Sequence, residues 1–189
     1  MDNPDNEYKM ALIDGRHDYL ISGKLTSDRH IYLQSVYGQP GVGDAGNGTF
    51  AGTVTGEDIE FGPDGNFSIH VSAKPSASGN WLKTGVGVET ILLRYTDVTW
   101  DNSTNQDWIT IACLTCPSEV ENLNPEKLAD LLNRTSASFH DRTSSWVSIA
   151  NRVWTLMPIN KIGKPRKTPN GLTDQYSAFG KFDLLNDQA

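Results

Sequence analysis

No stretch of this chain approaches the roughly 18 consecutive apolar residues of a membrane helix, so a membrane partner is not expected. Positive charge is also scarce. Sixteen Lys and Arg face 23 Asp and Glu, for a net charge of −7. A nucleic-acid binder needs a basic face for phosphates, so nucleic acid is not expected as a partner either. The basic run "KIGKPRK", Lys161 to Lys167, is broken by Gly and Pro in the manner of a solvated linker. The opening "MDNPDNEYKM" is acidic and polar, unlike a signal peptide. Four sequons, at Asn47, Asn66, Asn102 and Asn133, are weak evidence for secretion in a chain so rich in Ser and Thr. The sequence therefore fixes no compartment.

Chemistry-bearing motifs are missing as well. No Gly-x-Ser-x-Gly is present for a nucleophile elbow. His17, His30, His70 and His140 show neither HxH nor HExxH spacing, so no metal site and no cofactor can be assigned. The two cysteines, Cys113 and Cys116, sit in "ACLTCP". They admit three readings. One is a buried thiol beside a turn thiol, bridged or free. Another is a redox pair, for which a strand followed by "PSEVENLNP" is a poor context. The third is half of a zinc site whose other half is missing.

What is present is β patterning. A chain of 189 residues fits one domain, or one with an appendage, and can bury a sizeable core. "NFSIHVS" puts Phe67, Ile69 and Val71 on one face and Ser68, His70 and Ser72 on the other. "HIYLQSVY" sets Ile31, Leu33 and Tyr37 against His30, Tyr32 and Gln34. A period of two marks half-buried strands. "HDYLISG", "GTFAGTV", "EDIEF", "ETILLRYTDV" and "QDWITIACL" predict further strands, with turn signals such as "FGPDGN" between them. The expected fold is mainly β: an antiparallel sandwich or jelly roll over residues 1–116.

A helical period follows. Asn124 suits an N-cap, Pro125 the first helical position, and Glu126 the positive end of the dipole. Leu128, Leu131, Leu132, Phe139, Trp146, Ile149, Ala150 and Val153 form a stripe. A break near His140–Ser145 predicts a helical hairpin, an arm spanning 117–156. Its apolar face implies packing on the sandwich or self-association through 125–156. Residues 157–173 read as a linker. Residues 174–189 read as the start of further β structure, expected to pair with a sheet edge of the main domain or with a missing C-terminal segment.

Three stretches together resemble a family. They are "NPDNEYKMALIDGRHDYLISG", "DGNFSIHVSAKPSASGNWL" running into "ILLRYTDVTWD", and "YSAFGKFDLLNDQA". The chain is similar here to bacterial and environmental proteins carrying domain of unknown function 1214. The most specific part is the order Asp64-Gly65, Asn80-Trp81-Leu82, Arg94. The resemblance implies a β-sandwich with jelly-roll character. It implies no reaction.

Candidate site residues come from aromatic and polar neighbours. Trp81, Trp100 and Trp108 lie beside strand ends and turns. Such platforms suit a small amphipathic or carbohydrate-like ligand, since an apolar face stacks while polar groups take hydrogen bonds. The competing reading makes Trp81 a plug for the sandwich end, with Arg94 over its indole and Asn80 tying down backbone. In that reading "SASGN" carries the chain from one sheet to the other. Asn80, Trp81, Arg94, Trp100, Trp108 and His70 are the candidate ligand-binding residues; no catalytic residue can be named. The functional expectation is a binding or assembly module. The alternative is an enzyme with its site in the jelly-roll mouth, metal-dependent if His30 and His70 converge with Glu60 or Glu89.

Overall fold

A computed structural model of the chain describes residues 5–26, 28–38, 49–98, 106–117, 124–167 and 176–183. The side chains at positions 127, 131 and 142 are not described. The protein is mainly β, with largely antiparallel sheets and one α-helix among the described residues, and divides into two compact units. No helix among the described residues is long and apolar enough to cross a membrane.

The first unit holds eight strands: β1 Asn6–Leu12, β2 Tyr19–Lys24, β3 His30–Tyr37, β4 Phe50–Thr55, β5 Asn66–Ser72, β6 Asn80–Lys83, β7 Val88–Thr96 and β8 Trp108–Cys113. They form two four-stranded sheets, ordered β1-β7-β3-β4 and β6-β5-β2-β8. Alternation explains the core. Phe67, Ile69 and Val71 of β5, Ile31 and Leu33 of β3, and Leu93 and Tyr95 of β7 all join one buried cluster fed by both sheets. The expected inward Tyr37 departs from this pattern. An irregularity between Val36 and Tyr37 shifts the register with β7, and Tyr37 is exposed.

The predicted strand "EDIEF" does not form. Gly56–Asp58 is a short 3-10 turn, because Asp58 Oδ2 accepts hydrogen bonds from both the amide and the hydroxyl of Thr55. Two strands lack a clear signal in the sequence. β1 carries Glu7 and Lys9 on the face it shares with Ala11, so its apolar period is weak. β6 is only four residues long.

The turn before β5 depends on Gly65, whose φ of 76° lies in the left-handed region. A side chain there would also run into the Leu25 carbonyl. β5 and β6 pair in parallel, with Ile69 opposite Asn80 and His70 opposite Trp81. The intervening residues 73–79 therefore stay in one sheet, contrary to the expected crossing at "SASGN". The crossing comes after β6, where the Ser35 hydroxyl of β3 donates to the Lys83 carbonyl. β6 also packs on β4 and closes that side of the unit. On the other side, between edge strands β1 and β8, a mainly apolar cleft of about 170 Å³ remains, lined by Met10, Ile21, Leu33, Ile91, Ile109 and Ile111 among others.

The second unit is built on α1, Pro125–Leu156, a single helix of 32 residues. The expected hairpin and its break at His140–Ser145 are not found. Between Glu126 and Leu156 there is no Gly or Pro to stop the helix. Its hydroxyls are accommodated in place, as when Thr143 Oγ1 donates to the Phe139 carbonyl at 2.8 Å. The Asn124 carbonyl accepts from the Leu128 amide and begins the helical ladder. Four short strands follow: β9 Lys161–Ile162, β10 Arg166–Lys167, β11 Tyr176–Ser177 and β12 Gly180–Lys181. β12 pairs with β9 and β11 with β10. The described part of 174–189 thus pairs with the stretch read as a linker rather than with a sheet edge of the first unit; residues 184–189 lie outside the described set.

Candidate functional site

The outer face of the sheet β6-β5-β2-β8 follows directly from its register. Trp81, His70, Leu20 and Ala112 form one row across the four strands. The next row holds Ser68, Ser22 and Thr110, and a third holds Asn66, Lys24 and Trp108. Trp81 and His70 are therefore direct neighbours on one face. Trp108 shares that face at the opposite edge strand and is 45 % exposed. Three strand spacings and four residues of rise separate the two indoles, so they lie about 20 Å apart.

Trp81 is half-buried and is not a core plug. Its neighbour Leu82 points inward and is fully buried. The indole is held from its polar edge. Nε1 donates to Ser72 Oγ at 3.1 Å and to the Ser72 carbonyl at 3.2 Å, and Ser72 Oγ donates to the Lys74 carbonyl. Asn80 turns the other way and is buried. Its Oδ1 accepts from the Glu60 amide at 2.7 Å, while Nδ2 donates to the carbonyls of Glu60 and Ser68 at 3.1 and 3.0 Å. Asn80 is thus a structural tie between β5, β6 and the segment that follows β4.

Arg94 does not cover Trp81. It lies on β7 in the other sheet, with its guanidinium 4.9 Å from the Tyr8 ring centre. Trp100 lies outside the described residues. His30 and His70 belong to different sheets, and no cluster of three His, Cys, Asp or Glu placed to hold a metal occurs among the described residues. Cys113 and Cys116 are joined in a disulfide, which removes both thiols from redox or metal chemistry while the bond is intact.

A second constellation was not foreseen. Arg29, just before β3, is buried with its guanidinium 4.5 Å from the Tyr95 ring centre. Its Nε approaches Asp97 Oδ1 at 2.6 Å as an ion contact without hydrogen-bond alignment, and Nη2 donates to Glu7 Oε2 at 2.8 Å. Asp107 lies 4.0 Å from Nη1 and is held by the amide and hydroxyl of Thr26. The carboxylates of Asp97 and Asp107 are 7 % and 3 % exposed. Burial works to raise the Glu7 pKa, but hydrogen bonds from Arg29 and Lys9 outweigh it and hold the group below its usual value. Tyr95 moves the other way. Burial first, and then the Asp107 charge, push its phenol up to about 12, and its hydroxyl has no hydrogen-bond partner among the described residues. A signal for this cluster did exist. Alternation carries Ile91, Leu93 and Tyr95 inward and continues to Asp97; it carries Leu33 and Ile31 inward and continues back to Arg29.

No family model matches the chain, and no curated protein does. A crystal structure of an uncharacterised protein from Burkholderia cenocepacia is similar. It is 27% identical, with a TM-score of 0.72, over 88% of this chain and 44% of that protein. The VPA0106 protein from Vibrio parahaemolyticus matches at 15% identity and a TM-score of 0.36, over 57% of this chain and 31% of its own. That likeness is too weak to support an argument. The chain spans less than half the length of either protein.

Proposed function

We propose that this chain is a binding module, a sandwich of jelly-roll character that takes an extended, carbohydrate-like ligand across the outer face of β6-β5-β2-β8. Two four-stranded sheets feeding one core support the sandwich. The observation that carries the ligand reading is the placement of Trp81 and Trp108 on one face, with His70, Ser68, Ser22 and Thr110 between them. Aromatic faces stack on the apolar side of a sugar ring while hydroxyls and amides take its polar groups. A separation of about 20 Å cannot clamp one ring between two indoles, so the fitting ligand is a chain of several units. The test is calorimetry of the purified protein with soluble oligosaccharides, after a glycan array has ranked them. Trp81→Ala and Trp108→Ala are each expected to weaken binding by roughly 3- to 10-fold. Wild-type affinity unaltered by both changes, or no glycan bound, would refute the reading.

In the same proposal the chain groups with the proteins carrying domain of unknown function 1214, and α1 mediates self-association. The family assignment is supported by the structural duties of Gly65 and Asn80, two positions of the shared order. A structure of such a domain lacking the Asn80 tie would count against it.

One observation favours a second reading, an enzyme acting at the strand-end mouth. The buried Tyr95 hydroxyl, without a hydrogen-bond partner among the described residues, is a protonated donor beside Arg29. Tyr95→Phe would then abolish turnover in a substrate screen while leaving urea stability unchanged. Activity surviving that change would rule the role out.

A further inference from the structure

α1 presents a seam that its own unit leaves uncovered. Leu128, Leu132, Thr135, Phe139, Trp146, Ile149 and Val153 follow one another at spacings of four, three, four, seven, three and four residues. That is a heptad pattern with one charged position, Arg142, between Phe139 and Trp146, the spacing that lets one helix pack along another. Phe139 and Trp146 on this seam are 73 % and 70 % exposed. Among the described residues, contact with the rest of the unit is made at the C-terminal end. There Lys181 of β12 donates to the Trp154 carbonyl at 2.9 Å and sits over the Trp154 ring.

The seam is complementary to itself when reversed. With Arg142, which completes the seam between Phe139 and Trp146, the spacings are four, three, four, three, four, three and four, and they read the same backwards about a point between residues 140 and 141. Leu128 then faces Val153 of a second copy, and Leu132 faces Ile149. Trp146, the largest side chain of the seam, faces the small Thr135, and Phe139 pairs with position 142, an Arg in the sequence, beside the two-fold axis. Small residues flank it, with Ala129, Ser136, Ser138, Thr143, Ser145 and Ala150 beside the seam positions, so two backbones can approach closely. Opposed helices also set their macrodipoles favourably. The helix is about 48 Å long. The exposed area of its seam side chains, two of them aromatic, amounts to roughly 1,000 Å² over two copies, the scale of a specific interface.

We propose that two copies of this chain pair through α1 as an antiparallel two-helix contact with that register. The two-fold symmetry closes the assembly and leaves no seam exposed. The inference rests on the reading that the helix mediates self-association, and the two fail separately. Light scattering on the full chain at tens of micromolar should give a dimer of the 20.8 kDa protomer. Trp146→Glu should weaken it by at least about 30-fold with far-UV circular dichroism unchanged, since the position is exposed in the protomer. Register is read by cross-linking. Leu132→Cys mixed with Ile149→Cys should form an intermolecular disulfide, and neither variant should do so alone. A monomer at all concentrations, or a dimer indifferent to Trp146→Glu, would overturn self-association through this face. A dimer in which each single-cysteine variant cross-links to itself would show parallel pairing and overturn the register alone.

Discussion

Arg29→Leu removes the guanidinium that lies between Asp97, Asp107 and Glu7. The carboxylates of Asp97 and Asp107 are almost fully buried. Removing one partner of a buried pair leaves an uncompensated charge and costs about 3–5 kcal/mol. Asp107 keeps the amide and hydroxyl of Thr26, so most of the loss falls on Asp97. The contact of the cation with the Tyr95 ring is lost as well, which adds about 1 kcal/mol. The expected destabilisation is therefore about 4–6 kcal/mol, a large share of the 5–15 kcal/mol typical of a domain. Urea unfolding followed by tryptophan fluorescence measures it, provided the m-value is unchanged. Arg16→Ala serves as the control. Its pair with Asp14 is on the surface, so its loss should not be detectable. Adding Asp97→Leu to Arg29→Leu should recover part of the stability, because the second change takes away the orphaned charge. A loss below about 1 kcal/mol for Arg29→Leu would refute the view that this cluster joins β1, β3 and β7 energetically.

Three further expectations follow from particular contacts. Asn80→Ala orphans the Glu60 amide and two carbonyls, and should cost about 2–4 kcal/mol in the same urea assay; a cost near zero would mean water replaces the amide freely. Gly65→Ala forces a side chain into a left-handed backbone and against the Leu25 carbonyl, and a melting temperature equal to wild type would contradict this. Glu7 is held below its ordinary value of 4.5, so its stabilising contribution is present above about pH 4.5 and fades as pH falls through the lower folded value. The stability gap between wild type and Glu7→Gln should accordingly narrow on acidification, and a gap that widens would reverse the sign of the argument.

Much of the first unit was readable because apolar residues repeat every second position. Phe67, Ile69 and Val71 went inward as their spacing required. The same rule fails where burial is not apolar. β1 hides behind Glu7 and Lys9, and the Arg29–Asp97 cluster was passed over because charged residues near turns usually face solvent. Trp81 shows the opposite error. A large aromatic suggested a plug, yet one position along the strand decides the face, and Leu82 took the core. Pairing partners were beyond local pattern altogether. Nothing in "SASGNWLK" announces that β6 runs parallel to β5, so the separation of Arg94 from Trp81 by sheet was not legible. On α1 the stripe was visible, but its continuity was not. A break was expected near His140–Ser145, whereas the missing Gly and Pro were the better guide.

The strand order β1-β7-β3-β4 has a kinetic consequence. β1 is synthesised well before β7, its partner, whose last residue is Thr96. At ordinary elongation rates the partner trails by about 4–17 s. Throughout that interval Tyr8, Met10 and Leu12 are carried on an extended segment with nothing to pair with. β3 can meet β4 long before, so the sheet is expected to grow from its β4 side and to seal β1 last. Exposure to chaperones and to intermolecular strand exchange during synthesis is then concentrated at Asn6–Leu12. Lys9, on the opposite face of the same strand, discourages such exchange until β7 arrives.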